Sequence, residues 1–291
     1  MKRRIGFAAL ALVMSVPAAA LPASAQAASP DPARAVERQF RPGRGVELTE
    51  VARSSAGDEP SSFTFRSRGR IQFGSPGPVA SDSTLRMDPT PEARKNLEND
   101  LGEGFLSGLF DPEDRIVVKN RLHTSGGVYG SVLPAGKSWL RMKQPARATD
   151  LGIQPINVFD PAVLRSLLKD SSGKPFSGGR FYRGTVSRAE LRRTAGTTHG
   201  STPAAGGKAK ISWRLWTDAA GLPSRMSTVE SVGKGKISMT FRTDTRYTGW
   251  GSAVVVLPPP ADQVIDEEDL PGDLPEYKEP VDTLSSLSRR G

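Results

Sequence analysis

Hydrophobic and polar side chains alternate with period two through residues 62–73. Phe63, Phe65, Ile71 and Phe73 fall on one face, and Arg66, Arg68 and Arg70 on the other. That alternation predicts a half-buried strand, bent at Gly69 and ended by the Gly/Pro-rich stretch 74–78. Residues 46–53 and 83–87 read as strands on either side of it. Residues 114–124 read as one strand through Ile116 and Val118. Residues 127–133 and 138–142, around the turn 134–137, predict a hairpin. Residues 180–186 form a further strand. Three more follow at 210–218, 225–232 and 236–247, separated by turns at Gly221-Leu-Pro223 and at Gly233-Lys-Gly235. Trp213 and Trp216 lie on opposite faces of the first of these. Residues 253–257 extend the sheet until the prolines 258–260 break it.

The period changes in two or three places. Leu97, Leu101, Phe105 and Leu109 recur at four-residue steps, which predicts an amphipathic helix or helix pair over 91–110 against the core. Gly102, Gly104 and Gly108 weaken it. Asp31 and Pro32 are the N-cap and first position of a short helix over 31–40, and Asp160-Pro161 opens another through Leu164, Leu167 and Leu168. Residues 194–207, rich in Gly, Thr and Ala, read as a loop. Strands arranged as hairpins with few helices predict one antiparallel α+β domain over about 35–265.

Composition adds a location. Lys2, Arg3 and Arg4 precede the uncharged apolar stretch 5–16, and Ala25-Gln-Ala27 is a small-x-small site. This pattern predicts a signal peptide over 1–27, hence export. The stretch is too short to span a bilayer. There is no cysteine, so neither a disulfide nor a lipid-modified cysteine anchor is expected. The chain carries +9, yet its charge is uneven. Between Asp262 and Gly291 nine acids stand against Lys278, Arg289 and Arg290, giving −6, while residues 28–261 carry +12. A basic body suits an anionic membrane or wall-polymer surface, and equally a solvated face. Without an aromatic-basic binding motif, nucleic acid is not expected as a partner.

Candidate chemistry is sparse. The two histidines, His123 and His199, sit in turn-like or glycine-rich contexts away from acids at ligand spacing, and read as surface residues. No Gly-x-Ser-x-Gly elbow, dinucleotide fingerprint or phosphate loop is present. Glu267-Glu-Asp269 lacks the spacing of a calcium loop. Asp218 and Asp244 read as turn and strand-surface carboxylates. No catalytic residue, metal or cofactor is expected, and the chain is not read as an enzyme. The aromatic residues, with Trp139, Trp213, Trp216 and Trp250 in or beside strands, read as core or as the lining of an apolar cavity.

The order of several short motifs resembles the exported LppX/LprG-type lipoproteins of actinobacteria, within the LolA-like group. They are Gly127-Val-Tyr-Gly with Gly136-Lys-Ser-Trp139, the helix after Asp160-Pro161, and Phe181-Tyr-Arg-Gly-Thr-Val186. Leu215-Trp-Thr-Asp-Ala-Ala-Gly-Leu-Pro223 and Tyr247-Thr-Gly-Trp-Gly251 with the Val254–Asp262 stretch complete them. The resemblance implies a strongly curved antiparallel sheet, a half-barrel, with helices over its concave face and an apolar cavity between. It implies no catalytic residues. It covers about 45–265, so with the residue reading the chain divides into the signal peptide 1–27, a flexible segment 28–44, the half-barrel 45–265 and an acidic disordered tail 266–291. The lipobox cysteine is missing and the 91–110 stretch is long for the pattern.

The reading is therefore a secreted, non-enzymatic carrier of a lipid or other apolar ligand in the cell envelope, not lipid-anchored. Its cavity would be lined by Phe63, Phe65, Ile71, Phe73, Trp139, Trp213 and Leu215. The alternative is an envelope sensor or protein-interaction module whose half-barrel is filled by its own side chains.

Overall fold

The computed structural model describes residues 30–56, 62–75, 77–101, 108–150, 152–171, 173–195, 209–233 and 238–270. The signal-peptide stretch, the middle of the 91–110 segment, His199, almost all of the 194–207 loop, most of the turn after Gly233 and residues beyond 270 lie outside them.

Among the described residues twelve strands form one sheet in the order β12-β6-β5-β4-β3-β2-β1-β11-β10-β9-β8-β7. They are β1 (Arg44–Ala56), β2 (Phe63–Phe73), β3 (Pro78–Pro89), β4 (Glu113–Val118), β5 (Arg121–Gly126), β6 (Trp139–Pro145), β7 (Lys174–Phe176), β8 (Gly179–Ser187), β9 (Lys210–Thr217), β10 (Pro223–Val232), β11 (Met239–Ala253) and β12 (Val264–Asp266). Two antiparallel meanders, β1–β6 and β7–β11, join where β11 pairs with β1. The link from β6 to β7 carries a covering layer over one face. Beyond β11 the chain crosses the other face, where Val254 and Val256 pack with Ala80, Ile116 and Val118. It ends as β12, parallel to β6.

The helices are α1 (Pro32–Glu37), α2 (Pro91–Leu101), α3 (Pro161–Leu168) and α4 (Arg188–Ala195). Asp31 and Asp160 cap α1 and α3 as their positions predict: Ala33 N donates to Asp31 Oδ1 at 2.9 Å and Ala162 N to Asp160 Oδ1 at 2.8 Å. The main core lies between α1, residues 156–159, α3 and the covered face of β8, β9, β10, β11, β1 and β2. Val36, Val46, Phe73, Leu164, Ile211 and Leu215 are buried there. Gly184 makes room for Trp213, since a Cβ would stand 2.6 Å from its ring.

The expected antiparallel α+β architecture is present, but the strongly curved half-barrel is not. The sheet is open, with β12 and β7 as its edges, and is not strongly curled. A covering layer packs on one face, and the 254–256 segment crosses the β3–β4 part of the other. Three local expectations also change. Residues 114–124 are two strands, because Lys119 and Asn120 take left-handed backbone (φ 50° and 58°) and turn the chain back within two residues. The 127–133 stretch is not a hairpin arm. Gly126 at φ 73° breaks the strand where a side chain would stand 2.4 Å from the Pro112 carbonyl oxygen, and Gly127–Tyr129 form a 3-10 turn. β6 pairs instead with β5 and β12. Residues 254–260 leave the sheet, while 264–270, just past the triple proline, are part of the fold.

Candidate functional site

The residues expected to line one cavity occupy three places. Ile71, Phe73, Trp213 and Leu215 are buried in the main core, where Phe73 meets Phe40, Phe159 and Trp250 with ring centroids 5.4–6.2 Å apart. Phe63 and Phe65 share the covered face of β2 but stand at its far end. Ten residues at roughly 3.3 Å each put Phe63 about 30 Å from Phe73. They belong to a second cluster with Met87, Met239, Phe241, and Ala93 and Leu97 of α2. Trp139 falls on the opposite face, in line with His123 and Arg141 of the β5–β6 ladder.

Between the two apolar clusters the covered face turns polar. Glu50 sits on the same face as Val46 and Leu48, yet only 1 % of it is exposed. Its carboxylate accepts the Ile153 N–H, the Gln154 N–H at 3.2 Å and the Thr245 hydroxyl at 2.7 Å. Gln154 Nε2 donates to Thr245 Oγ1 at 3.0 Å, and Thr228 Oγ1 donates to Gln154 Oε1 at 2.8 Å. Burial pushes the Glu50 carboxyl above the usual carboxylate range, and the bonds from Thr245, Ile153 and Gln154 pull it partly back. This network fixes the 152–154 segment across β1, β10 and β11. The hydroxyls of Ser54, Ser67, Ser81 and Ser83 are also buried on this face, without a hydrogen-bond partner among the described residues.

A cavity of about 40 Å³ lies beside the network, lined by Ile71, Ser81, Ser83, Gln154, Ile156 and Tyr247 among others. It has room for a water molecule. Sites for drug-sized ligands run to roughly 300–1,000 Å³. This cavity is therefore too small for an acyl chain.

A second buried polar contact stands at the start of α4. Arg188 Nε and Nη2 each donate to Glu230 at 2.5 Å, and both side chains are 3 % exposed. This two-pronged pair ties α4 to β10.

The opposite face holds a groove of about 640 Å³ lined by Glu47, Arg68, Arg70, Asp82, Asp114 and Trp139 among others. Arg70 pairs with Asp82 there. His123, expected at the surface, is buried instead. It faces Ile116 across the β4–β5 ladder, and burial lowers its pKa. Asp218 is a turn residue, as expected: its Oδ1 accepts from Ala220 N and Leu222 N, both at 2.9 Å. Asp244 pairs with Arg225. Glu267 accepts from Lys143 N at 2.7 Å, so this acid is a contact to β6. Among the described residues no three His, Asp or Glu side chains gather into a metal site. No helix there is long and apolar enough to cross a membrane.

Sequence reasoning missed Glu50, Gln154, Arg188 and Glu230. Glu50 was detectable, because it interrupts the apolar alternation of Val46, Leu48 and Ala52. Gln154, Arg188 and Glu230 carry no such signal.

No protein-family model matches the chain, and no curated protein does. Several solved structures are similar to it. One is a LolA superfamily protein from Nitrosomonas europaea, at 10 % identity and a TM-score of 0.28, covering 78 % of this chain and 94 % of that one. A DUF1329 family protein from Desulfovibrio piger is 9 % identical at a TM-score of 0.29, covering 79 % and 95 %. A putative outer membrane lipoprotein-sorting protein domain from Vibrio parahaemolyticus is 9 % identical at 0.25, covering 74 % and 89 %. Overlaps at these scores carry neither an activity nor a ligand to this chain.

Proposed function

We propose that the protein is an exported, non-enzymatic binding protein of the cell envelope that shelters a lipophilic group beneath α2. One observation carries this reading. The Phe63–Phe65–Met87–Met239–Phe241 cluster is separated from the main core by a polar belt and is roofed by Ala93 and Leu97 of α2. Methionine and phenylalanine side chains repack readily around an apolar guest. Displacing α2 would expose their surface to an acyl chain, at about 0.8 kcal/mol per buried methylene. The signal-peptide pattern supports the location.

Organic extracts of the purified full-length protein, analysed by mass spectrometry, should contain a lipophilic compound. A fluorescent fatty-acyl probe should compete with it, and Leu97→Arg should alter uptake while Trp213 fluorescence stays native-like. Clean extracts together with no probe uptake would overturn the reading.

A second reading has its own support. The enclosed space beside the central network is about 40 Å³, which suits a sheet filled by its own side chains and acting as an interaction module. That reading expects clean extracts and an envelope protein retained by the immobilised chain.

A further inference from the structure

The face of β7–β11 opposite the main core is exposed and carries a charge arrangement that works against folding. Register sets Arg183 of β8 directly opposite Arg214 of β9, Arg225 of β10 opposite Arg246 of β11, and Arg242 of β11 opposite Arg53 of β1. Like charges facing each other across strands destabilise a sheet. Among the described residues of β7–β11, the only acid on this face is Asp244, already engaged by Arg225 at 2.6 Å. Arg183, Arg214 and Arg246 are exposed and make no ion pair with another described residue.

Aromatic side chains stand within the same patch. Phe181 and Trp216 pack with ring centroids 5.1 Å apart, and the Arg225 guanidinium lies over Trp216 at 4.8 Å from its centroid. At the edge, Phe176 of β7 opposes Gly179, on the same face as Phe181, and is 54 % exposed. An arginine-bearing face with a half-buried tryptophan in it and an exposed phenylalanine at its edge matches the two layers of a lipid interface. Phosphates meet the guanidiniums while the ring enters the headgroup boundary.

We infer that this face docks on an anionic phospholipid bilayer surface. A dissolved polyanion would satisfy the arginines but leave Phe176 without a role. A bilayer uses both, and its negative surface offsets the repulsion between Arg183 and Arg214. The inference stands whether or not a lipophilic group is sheltered beneath α2.

Cosedimentation of the full-length protein with vesicles tests it. Binding is expected to vesicles containing phosphatidylglycerol and not to pure phosphatidylcholine. Each cation near an anionic surface contributes on the order of 1 kcal/mol, so Arg183→Glu should weaken binding roughly tenfold or more. The same change turns a repulsive cross-strand pair into an attractive one, so its melting temperature should hold or rise. Loss of binding therefore cannot be loss of fold. Phe176→Ser should weaken binding further at high salt, where the electrostatic part is screened. As a charge control, Arg192→Glu on α4 should change binding less than Arg183→Glu. Any of three results would overturn the inference: no affinity for anionic vesicles, equal weakening by Arg192→Glu and Arg183→Glu, or capture by soluble polyphosphate with Phe176→Ser binding vesicles like the parent.

Discussion

Two arginine–carboxylate pairs sit on opposite faces of the same strand, β10, in different surroundings. On the covered face Arg188 and Glu230 are each 3 % exposed. On the open face Arg225 and Asp244 are 42 % and 28 % exposed. The geometries are alike, with donor–acceptor distances of 2.5 Å and 2.6 Å. What differs is water. Water does not readily replace the acceptor of a buried guanidinium, whereas an exposed one is solvated again at little cost. The covered-face pair is thus committed to the fold, and the open-face pair stays in contact with water.

The largest expected effect tests that contrast directly. Glu230→Ala removes the two-pronged acceptor of the buried Arg188 guanidinium and should cost about 3–5 kcal/mol of unfolding free energy, read by denaturant titration. Replacing both partners by apolar residues, Arg188→Met with Glu230→Leu, should recover most of that loss. A Glu230→Ala variant within 1 kcal/mol of the parent would show the pair to be solvated, and the contrast between faces would collapse.

The next effect is smaller and depends on pH. Burial raises the folded-state pKa of Glu50 above its unfolded value. The folded protein therefore holds that proton more tightly than the unfolded chain. Glu50's contribution to stability is fully present below the ordinary carboxylate value and is lost as pH rises through the raised folded value. His123 and Asp266, whose pKa values are lowered, act in the opposite direction. They are common to the parent and to Glu50→Gln, so they cancel in the difference. The parent should lose stability relative to Glu50→Gln as pH rises above about 4.5, by no more than about 1.4 kcal/mol per pH unit for one proton. Parallel stability curves from acid to neutral pH would mean that Glu50 titrates normally and that the 152–154 segment is held without it.

How far the sequence goes depends on the range of the interaction. Local signals read well: Asp31-Pro32 and Asp160-Pro161 start helices where their capping chemistry places them. The alternation in β2 assigns every phenylalanine to its face, and Trp213 and Trp216 do point opposite ways. Pairing across the sheet is not local. That β11 lies against β1, or that β12 crosses to β6, depends on contacts between distant segments that no period encodes. The candidate site fails for the same reason. Phe63 and Phe73 share a face, which in sequence predicts a shared cavity, although strand length places them in separate clusters. Turn residues mislead in another way. Lys119 and Asn120 lack glycine, the usual mark of left-handed backbone, so the β4–β5 reversal is hidden.

The smallest effect belongs to the open face and sharpens the comparison from its other side. Arg225 pairs with Asp244 and lies over the Trp216 ring, so two contacts are lost in Arg225→Ala. Yet both ions remain accessible to water, which replaces most of what is removed. The expected cost is roughly 0–1 kcal/mol, declining further in high salt as the pair is screened. The same substitution also relieves the repulsion from Arg246 across the β10–β11 ladder, which pushes the net effect toward zero. A loss above about 2 kcal/mol on Arg225→Ala, persisting in high salt, would mean that the Arg225–Asp244–Trp216 group holds the sheet together. In that case the open face would be structural, and its arginines would not be free to serve a surface.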